Sequence, residues 1–132
     1  MANTYSQIYI QIVFAVSGRE NLISKEWKDE LYKYITGIVT NHGQKLLAIN
    51  GVADHLHLLL NIKPNIALSE LVRDIKANSS RWINEKRLVR GKFQWQEGFG
   101  AFSYSLSQRD DVIGYIQRQE EHHRKVSFEE EY

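Results

Sequence analysis

Two histidines, a tyrosine and a glutamine carry the chemistry this sequence could perform. His55-Leu56-His57 alternates imidazole, apolar residue and imidazole. Side chains two apart on a strand project to one side, so both rings would face a single metal ion. Tyr115 and Gln119 are four residues apart, which on a helix puts phenol and carboxamide on one side, one turn apart. A phenol, with a pKa of about 10, is a poor nucleophile at neutral pH. A nearby divalent cation would polarise a phosphodiester and stabilise the charge that develops on attack. Two imidazoles and one amide oxygen leave coordination positions open for phosphate oxygens, as a catalytic metal site requires. The set reads as a tyrosine nucleophile, Tyr115, beside metal ligands His55, His57 and Gln119, and the chemistry is strand cleavage through a phosphotyrosine.

Each piece also has an ordinary reading. Isolated H-x-H is a short motif that two surface histidines near a sheet centre also produce. Tyr115 fits an amphipathic aromatic at the edge of a core, and Gln119 fits a solvated helix position. His122 and His123 fit favourable charges at a helix C-terminus. Gly114 is unusual inside a helix, costing up to about 1 kcal/mol relative to alanine, and suggests a close approach to the backbone there.

The elements that must position these residues follow from periodicity. Ile8, Ile10, Ile12, Phe14 and Val16 alternate over residues 5–16, a half-buried strand. Residues 18–21 read as a loop. Ser24 is placed to cap a helix with acids in its first turn. Trp27, Leu31, Tyr34, Ile35, Ile38 and Val39 give that helix its stripe, and Asn41-His42-Gly43 ends it with glycine in the left-handed position. Residues 45–50 form a short strand, 51–54 a turn, and 55–62 a second strand of the same hairpin. In the latter, Leu56, Leu58, Leu60 and Ile62 share one face, and His55, His57, Leu59 and Asn61 the other. Pro64-Asn65 introduces a helix with Leu68, Leu71, Val72, Ile75, Trp82 and Ile83 on its buried side. Residues 86–100 read as a loop with an aromatic cluster, Phe93, Trp95 and Phe99. A last strand spans 101–106. Ser107 and Asp110 resemble a capping box that opens a final helix through His123, with Val112, Ile113 and Ile116 packing and Tyr115 on their flank.

The order βαββαβ followed by a helix predicts an α+β, ferredoxin-like (RRM-like) fold: an antiparallel sheet, two helices on one face, and a C-terminal helix carrying the tyrosine. The 132 residues fit a single domain, 1–132. The apolar fraction of 42% and charged fraction of 25% are those of a globular chain. No apolar run approaches the roughly 18 residues of a membrane span. The start lacks the basic region and cleavage site of a secretory signal, and there is no cysteine, so no disulfide framework and no thiolate metal site. A cytoplasmic protein without membrane contact is expected. Net charge is only +1, so total charge does not argue for a nucleic-acid partner; basic residues are richer over 73–92 and acids collect in Glu129-Glu130-Glu131.

With these residues in place, the chain resembles a known family: the small single-tyrosine HUH transposases of bacterial and archaeal insertion sequences, to which the REP-associated tyrosine transposases are related. His55-Leu56-His57 matches the histidine, bulky apolar, histidine motif. Tyr115 and Gln119 match the nucleophile and the polar ligand four positions on. The stretches VADHLHLLLNI, FQWQEGFGAFSYS and VIGYIQRQEEHH read like the family, and the resemblance covers nearly the whole chain. It implies cleavage of single-stranded DNA at hairpin-bearing transposon ends, a 5′-phosphotyrosine and a released 3′-hydroxyl that later rejoins strands. It also implies Mg2+ or Mn2+ and a homodimer in which, in several members, the tyrosine helix completes the partner's site. Imidazoles suit manganese or another transition ion better than magnesium, which prefers oxygen. A domesticated relative acting on chromosomal repeat hairpins would share these motifs. Arg73 and Lys76, three apart and off the apolar stripe, are expected to share an exposed face and contact DNA phosphates, although a solvated helix surface gives the same pattern.

Two other classes stay open on the residues alone. One is a non-catalytic RRM-like nucleic-acid-binding module, disfavoured because no RNP-like run is present and the open face carries histidines and Asn61 rather than exposed aromatics. The other is a transition-metal sensor using His55, His57 and His122 or His123.

Overall fold

The computed structural model describes residues 5–119. Seven elements follow the expected order: β1 (Ile8–Ala15), α1 (Lys28–Asn41), β2 (Lys45–Val52), β3 (His55–Ile62), α2 (Leu68–Glu85), β4 (Gly100–Tyr104) and α3 (Arg109–Gln117). Short 3-10 turns at Ser17–Arg19 and Leu106–Gln108 link them. The sheet runs β2-β3-β1-β4, and each neighbouring pair is antiparallel. This is the ferredoxin-like arrangement, in which β1 and β3 are central. His122 and His123 lie outside the described residues.

Alternation in β1 and β3 separates two layers. Ile12, Phe14, Val16, Leu56, Leu58 and Leu60 turn to one face and are buried against Leu31, Ile35 and Val39 of α1 and Leu71, Val72, Ile75 and Ile83 of α2. The opposite face carries Tyr9, Leu59 and Ala48, which bury against Val112 and Ile116 of α3. The third helix therefore lies on the sheet of its own chain, where Asn50 Nδ2 on β2 donates to the Gln117 carbonyl at 3.0 Å. Tyr34 of α1 stacks on Trp82 of α2, ring centroids 5.4 Å apart, and closes the outer layer.

Several boundaries differ from the sequence expectation, each for a local reason. Helix α1 begins at Lys28 rather than after Ser24. The Ser24 hydroxyl instead accepts from the Glu26 N–H at 3.1 Å, capping a turn that feeds the helix. Strand β2 runs on to Val52, so the hairpin loop is only Ala53-Asp54. The capping box is made by Ser105 with Gln108, not by Ser107 with Asp110; the Ser105 N–H donates to Gln108 Oε1 at 2.9 Å, while Asp110 accepts from Arg109. Gly114 has a neighbour in its own helix: an added Cβ would meet Arg118 Nη1 at 2.8 Å.

The stretch expected as a loop, 86–100, is tied down at several points. Ser17 N–H donates to the Gln94 carbonyl and Gln96 N–H to the Ala15 carbonyl, at 2.9 and 2.8 Å, so the segment prolongs the sheet beyond β1. Phe93 and Trp95 are buried. Trp95 meets Phe14 edge-on at 4.8 Å and donates its indole N–H to Ser79 Oγ at 2.9 Å. Half-buried Lys76 takes part in this anchoring and lines a groove with Arg73. Its ammonium donates to the carbonyl of Gln96 at 2.8 Å and to that of Gly98. Desolvation holds it below the usual lysine range, with Glu97 pulling in the other direction. Arg73 is exposed as expected.

Two outcomes follow. A Cβ on Gly51 would collide with the His55 carbonyl and lie 2.9 Å from Leu56 Cα, so Gly51→Ala must push β2 from β3. We expect a loss of about 1–3 kcal/mol, as for overpacking elsewhere, measured by urea unfolding. Lys76→Met keeps the stem and removes the donors. It should cost about 1–2 kcal/mol, since hydrogen bonds to a charged group are worth up to about 3 and this one is partly solvated. If Lys76 also meets phosphate, as the sequence reading expects, the variant should flatten the salt dependence of DNA binding; an unchanged slope would confine Lys76 to anchoring.

Candidate active site

The histidines are not surface groups. His55 is fully buried and His57 is 2% exposed, because α3 covers the sheet face to which they point. Their rings meet edge-on, centroids 5.1 Å apart. Burying imidazoles demands hydrogen-bond partners, and the sheet supplies one for each Nδ1. His55 Nδ1 lies 2.7 Å from Asp54 Oδ1. The other oxygen of Asp54 accepts from Arg19 Nε at 3.3 Å. His57 Nδ1 lies 2.7 Å from Gln11 Oε1, and Gln11 Nε2 donates to the Tyr104 hydroxyl at 2.8 Å.

These contacts set the chemistry of the rings. A carboxylate oxygen and a carboxamide oxygen accept but do not donate, so each places the proton of a neutral imidazole on Nδ1. The lone pair is then on Nε2, the arrangement that metal-ligating histidines adopt with such a partner behind them. The two Nε2 atoms and Gln119 Oε1 are buried polar atoms with no hydrogen-bond partner among the described residues. Gln119 is fully buried, with its Nε2 donating at 3.4 Å to the Tyr115 carbonyl one turn earlier. Two imidazole nitrogens and an amide oxygen suit a divalent ion of the manganese type. No group of three His, Cys, Asp or Glu side chains able to hold a metal occurs among the described residues, so a three-ligand site depends on the carboxamide.

Tyr115 reaches the same place from α3. Its ring stands edge-on to His57, centroids 5.9 Å apart. Both line a cavity of 350 Å³ with Gln11, Phe102, Tyr104 and Asp111. Phe102, 37% exposed, is an aromatic on the face where the sequence reading placed none, because its β4 register sets it opposite Gln11. The structure thus brings Tyr115, His55 and His57 together on one face of the sheet, with Gln119 one turn beyond Tyr115 and bonded to its carbonyl. Arg73 and Lys76 are not with them: α2 packs on the opposite face, beside a separate groove of 420 Å³.

Sequence reasoning missed Gln11, Asp54 and Tyr104. Asp54 adjoins the motif, and its position next to His55 was the available signal. Gln11 is a lone amide among apolar neighbours in β1, but its role requires the register that puts Val13 opposite His57. Tyr104 requires the further pairing of β4 with β1.

No described helix is long and apolar enough to cross a membrane. Among curated proteins, the chain is 24% identical over 118 residues to the ISDra2 transposase TnpA of Deinococcus radiodurans, covering 86% of this chain and 84% of that protein. Among solved structures, it resembles a D. radiodurans crystal structure assigned as a transposase, with TM-score 0.73, 22% identity, and 90% and 95% of the two chains covered. It also resembles a REP-associated tyrosine transposase bound to a REP hairpin, with TM-score 0.70, 14% identity, and 96% and 74% covered. The model of the family described as "Transposase IS200 like" matches residues 4–119; the chain belongs to that family and is a DNA transposase, an enzyme of DNA cleavage and strand transfer.

Proposed function

We propose that this transposase cuts and rejoins single-stranded DNA at hairpin-bearing ends, with Tyr115 as nucleophile and His55, His57 and Gln119 holding Mg2+ or Mn2+. The observation that carries the reading is the Tyr115 ring against His57 in one cavity, behind which Asp54 and Gln11 engage each Nδ1 and so favour the lone pair on Nε2. When bound, the ion supplies Lewis-acid polarisation of the scissile phosphate. Tyr115 Oη gives up its proton and forms a bond to phosphorus. The bond from phosphorus to the 3′ oxygen breaks, and that oxygen takes up a proton as a 3′-hydroxyl. The 5′-phosphate stays on Tyr115 until a 3′-hydroxyl attacks it and the tyrosine leaves. The hairpin bound by the structural relative supports a hairpin as the recognised element, whether at a mobile element's ends or in chromosomal repeats.

The non-catalytic RRM-like reading fits the site less well. It needs a sheet face open to bases, and here α3 covers much of that face, with Tyr9 only 3% exposed.

Incubation with single-stranded DNA carrying the hairpin that flanks its own reading frame should give a denaturation-resistant complex. Tyr115→Phe, which removes one half-buried hydroxyl, should keep the parent melting temperature and lower adduct formation by at least about 10³-fold, the scale of nucleophile deletion. The His55→Ala, His57→Ala variant should lose Mn2+ binding by calorimetry by at least about 100-fold, as loss of direct ligands exceeds loss of their supporting partners. Adduct from the phenylalanine variant would exclude Tyr115.

We further propose a homodimer. Both sheet edges, β2 and β4, carry backbone groups able to pair with another chain. Family resemblance suggested a tyrosine helix reaching the partner, yet here tyrosine and histidines share one chain. A mixture of Tyr115→Phe subunits with His55→Ala, His57→Ala subunits should therefore stay inactive. Recovered cleavage would show that the helix is exchanged between subunits, and a monomer by ultracentrifugation would refute the dimer.

A further inference from the structure

The hydrogen-bond chain behind His57 does more than hold a ring. It runs from His57 Nδ1 to Gln11 Oε1 at 2.7 Å and from Gln11 Nε2 to Tyr104 Oη at 2.8 Å. A carboxamide has one donating end and one accepting end. The proton positions along the chain are therefore linked, and only two orders exist. In the first, His57 carries its proton on Nδ1 and donates to Gln11 Oε1, and Gln11 Nε2 donates to the Tyr104 oxygen. In the second, the amide is turned over. Tyr104 donates to the amide oxygen, the amide N–H donates to His57 Nδ1, and the imidazole proton moves to Nε2.

Only the first order leaves Nε2 of His57 able to ligate a metal ion. It also decides what Tyr104 does. With its oxygen accepting from Gln11, the Tyr104 O–H cannot point along the chain. Tyr104 is half-buried, and the space beside it is the cavity it shares with Tyr115 and His57. No described side chain other than Gln11 bonds to its hydroxyl. A phenolic donor aimed into a cavity beside a nucleophilic tyrosine suits one class of ligand, the anionic oxygens of a phosphodiester.

We propose that Tyr104 donates a hydrogen bond to a phosphate oxygen of the strand bound beside Tyr115, its proton being turned into the cavity by the same Gln11 orientation that prepares His57 for metal. This rests on the single-strand cleavage reading above. Metal competence and the phosphate donor are thereby two ends of one proton order. In the opposite order both are lost together.

Three variants separate this role from a merely structural one. Tyr104→Phe should bind Mn2+ within about threefold of the parent but form adduct about 10²-fold more slowly, the usual effect of removing one oxyanion donor. Gln11→Leu removes the acceptor behind His57 and should weaken Mn2+ binding about 10–100-fold. Gln11→Glu is the discriminating case. Its carboxylate still accepts from His57 Nδ1, so Mn2+ affinity should hold, but it also accepts from Tyr104 and draws that proton out of the cavity. Adduct formation should then fall as far as in Tyr104→Phe. Full activity in either Tyr104→Phe or Gln11→Glu overturns the proposal. In the unaltered metal-free protein, imidazole 15N shifts should show His57 protonated at Nδ1; protonation at Nε2 would also overturn it. If the parent forms no adduct, the cleavage reading fails separately. The donor is then read from anisotropy of the labelled hairpin oligonucleotide, which Tyr104→Phe should bind at least about fivefold more weakly, a step of about 1 kcal/mol. Equal binding would refute it.

Discussion

Gln11 meets His57 because β1 and β3 pair in one particular register. Val13 stands opposite His57 and Gln11 opposite Leu59, so Gln11 and His57 are diagonal neighbours on the same face. At such positions, typically about 7–8 Å apart at the backbone, long side chains can bridge. A slip of one residue would send the imidazoles into the apolar layer under α1 and α2, and Leu56, Leu58 and Leu60 onto the face that α3 covers. The apolar alternation that buries Phe14, Leu56 and Leu58 thus also enforces the geometry of the polar site behind them. Gly51 contributes to the same constraint, since only a residue without a Cβ lets β2 lie this close to His55. The site is held by the core, although it shares no face with it.

Burying two imidazoles is a local loss that the rest of the fold must offset. An uncompensated buried polar group costs about 1–3 kcal/mol. Asp54 and Gln11 remove that cost at each Nδ1, while the buried Nε2 atoms and Gln119 Oε1 find no hydrogen-bond partner among the described residues. A sequence selected for stability alone would place apolar residues there, as it does at Leu59 on the same strand face. Such violations of local consistency are expected where function demands them. Here they come from β3 and from the residue just past α3, and His57 among them lines the cavity that Tyr115 shares.

What could be read in the sequence was whatever has a short period. The faces of β1 and β3, the stripes of α1 and α2, the left-handed Gly43 after α1, and the H-x-H pair each express a repeat of 2 or 3.6 residues. Helix starts were less legible. Ser24 and Ser107 both have the right side chain for a cap, but a turn intervenes after the first, and a 3-10 turn starting two residues earlier takes the second. Nor does sequence spacing show where a long side chain will find its partner. Lys76 is off the apolar stripe as expected, yet the backbone of 96–98 folds over it. Gln11 and Tyr104 stood too far apart in the chain, 93 residues, to be linked before the strand order was known.

Among the described residues, α3, which carries the proposed nucleophile Tyr115, buries fewer apolar side chains than α1 or α2. Helices α1 and α2 share the large core with β1 and β3. The third helix buries Val112 and Ile116 fully or nearly so against a small cluster around Tyr9 and Leu59. Two such side chains contribute about 3–6 kcal/mol by transfer, to which the Asn50 bond to Gln117 adds about 1. Ile113 and Tyr115 add partly buried area to the same cluster, yet the contact remains smaller than the one that α1 and α2 make with the large core. The proposed strand transfer has a matching demand: a tyrosine linked to a strand would have to let that strand meet a different 3′-hydroxyl from the one it lost. The β1–β3 register fixes the side of the proposed ligands His55 and His57, so any rearrangement that strand transfer requires would fall to α3, which packs on the smaller cluster.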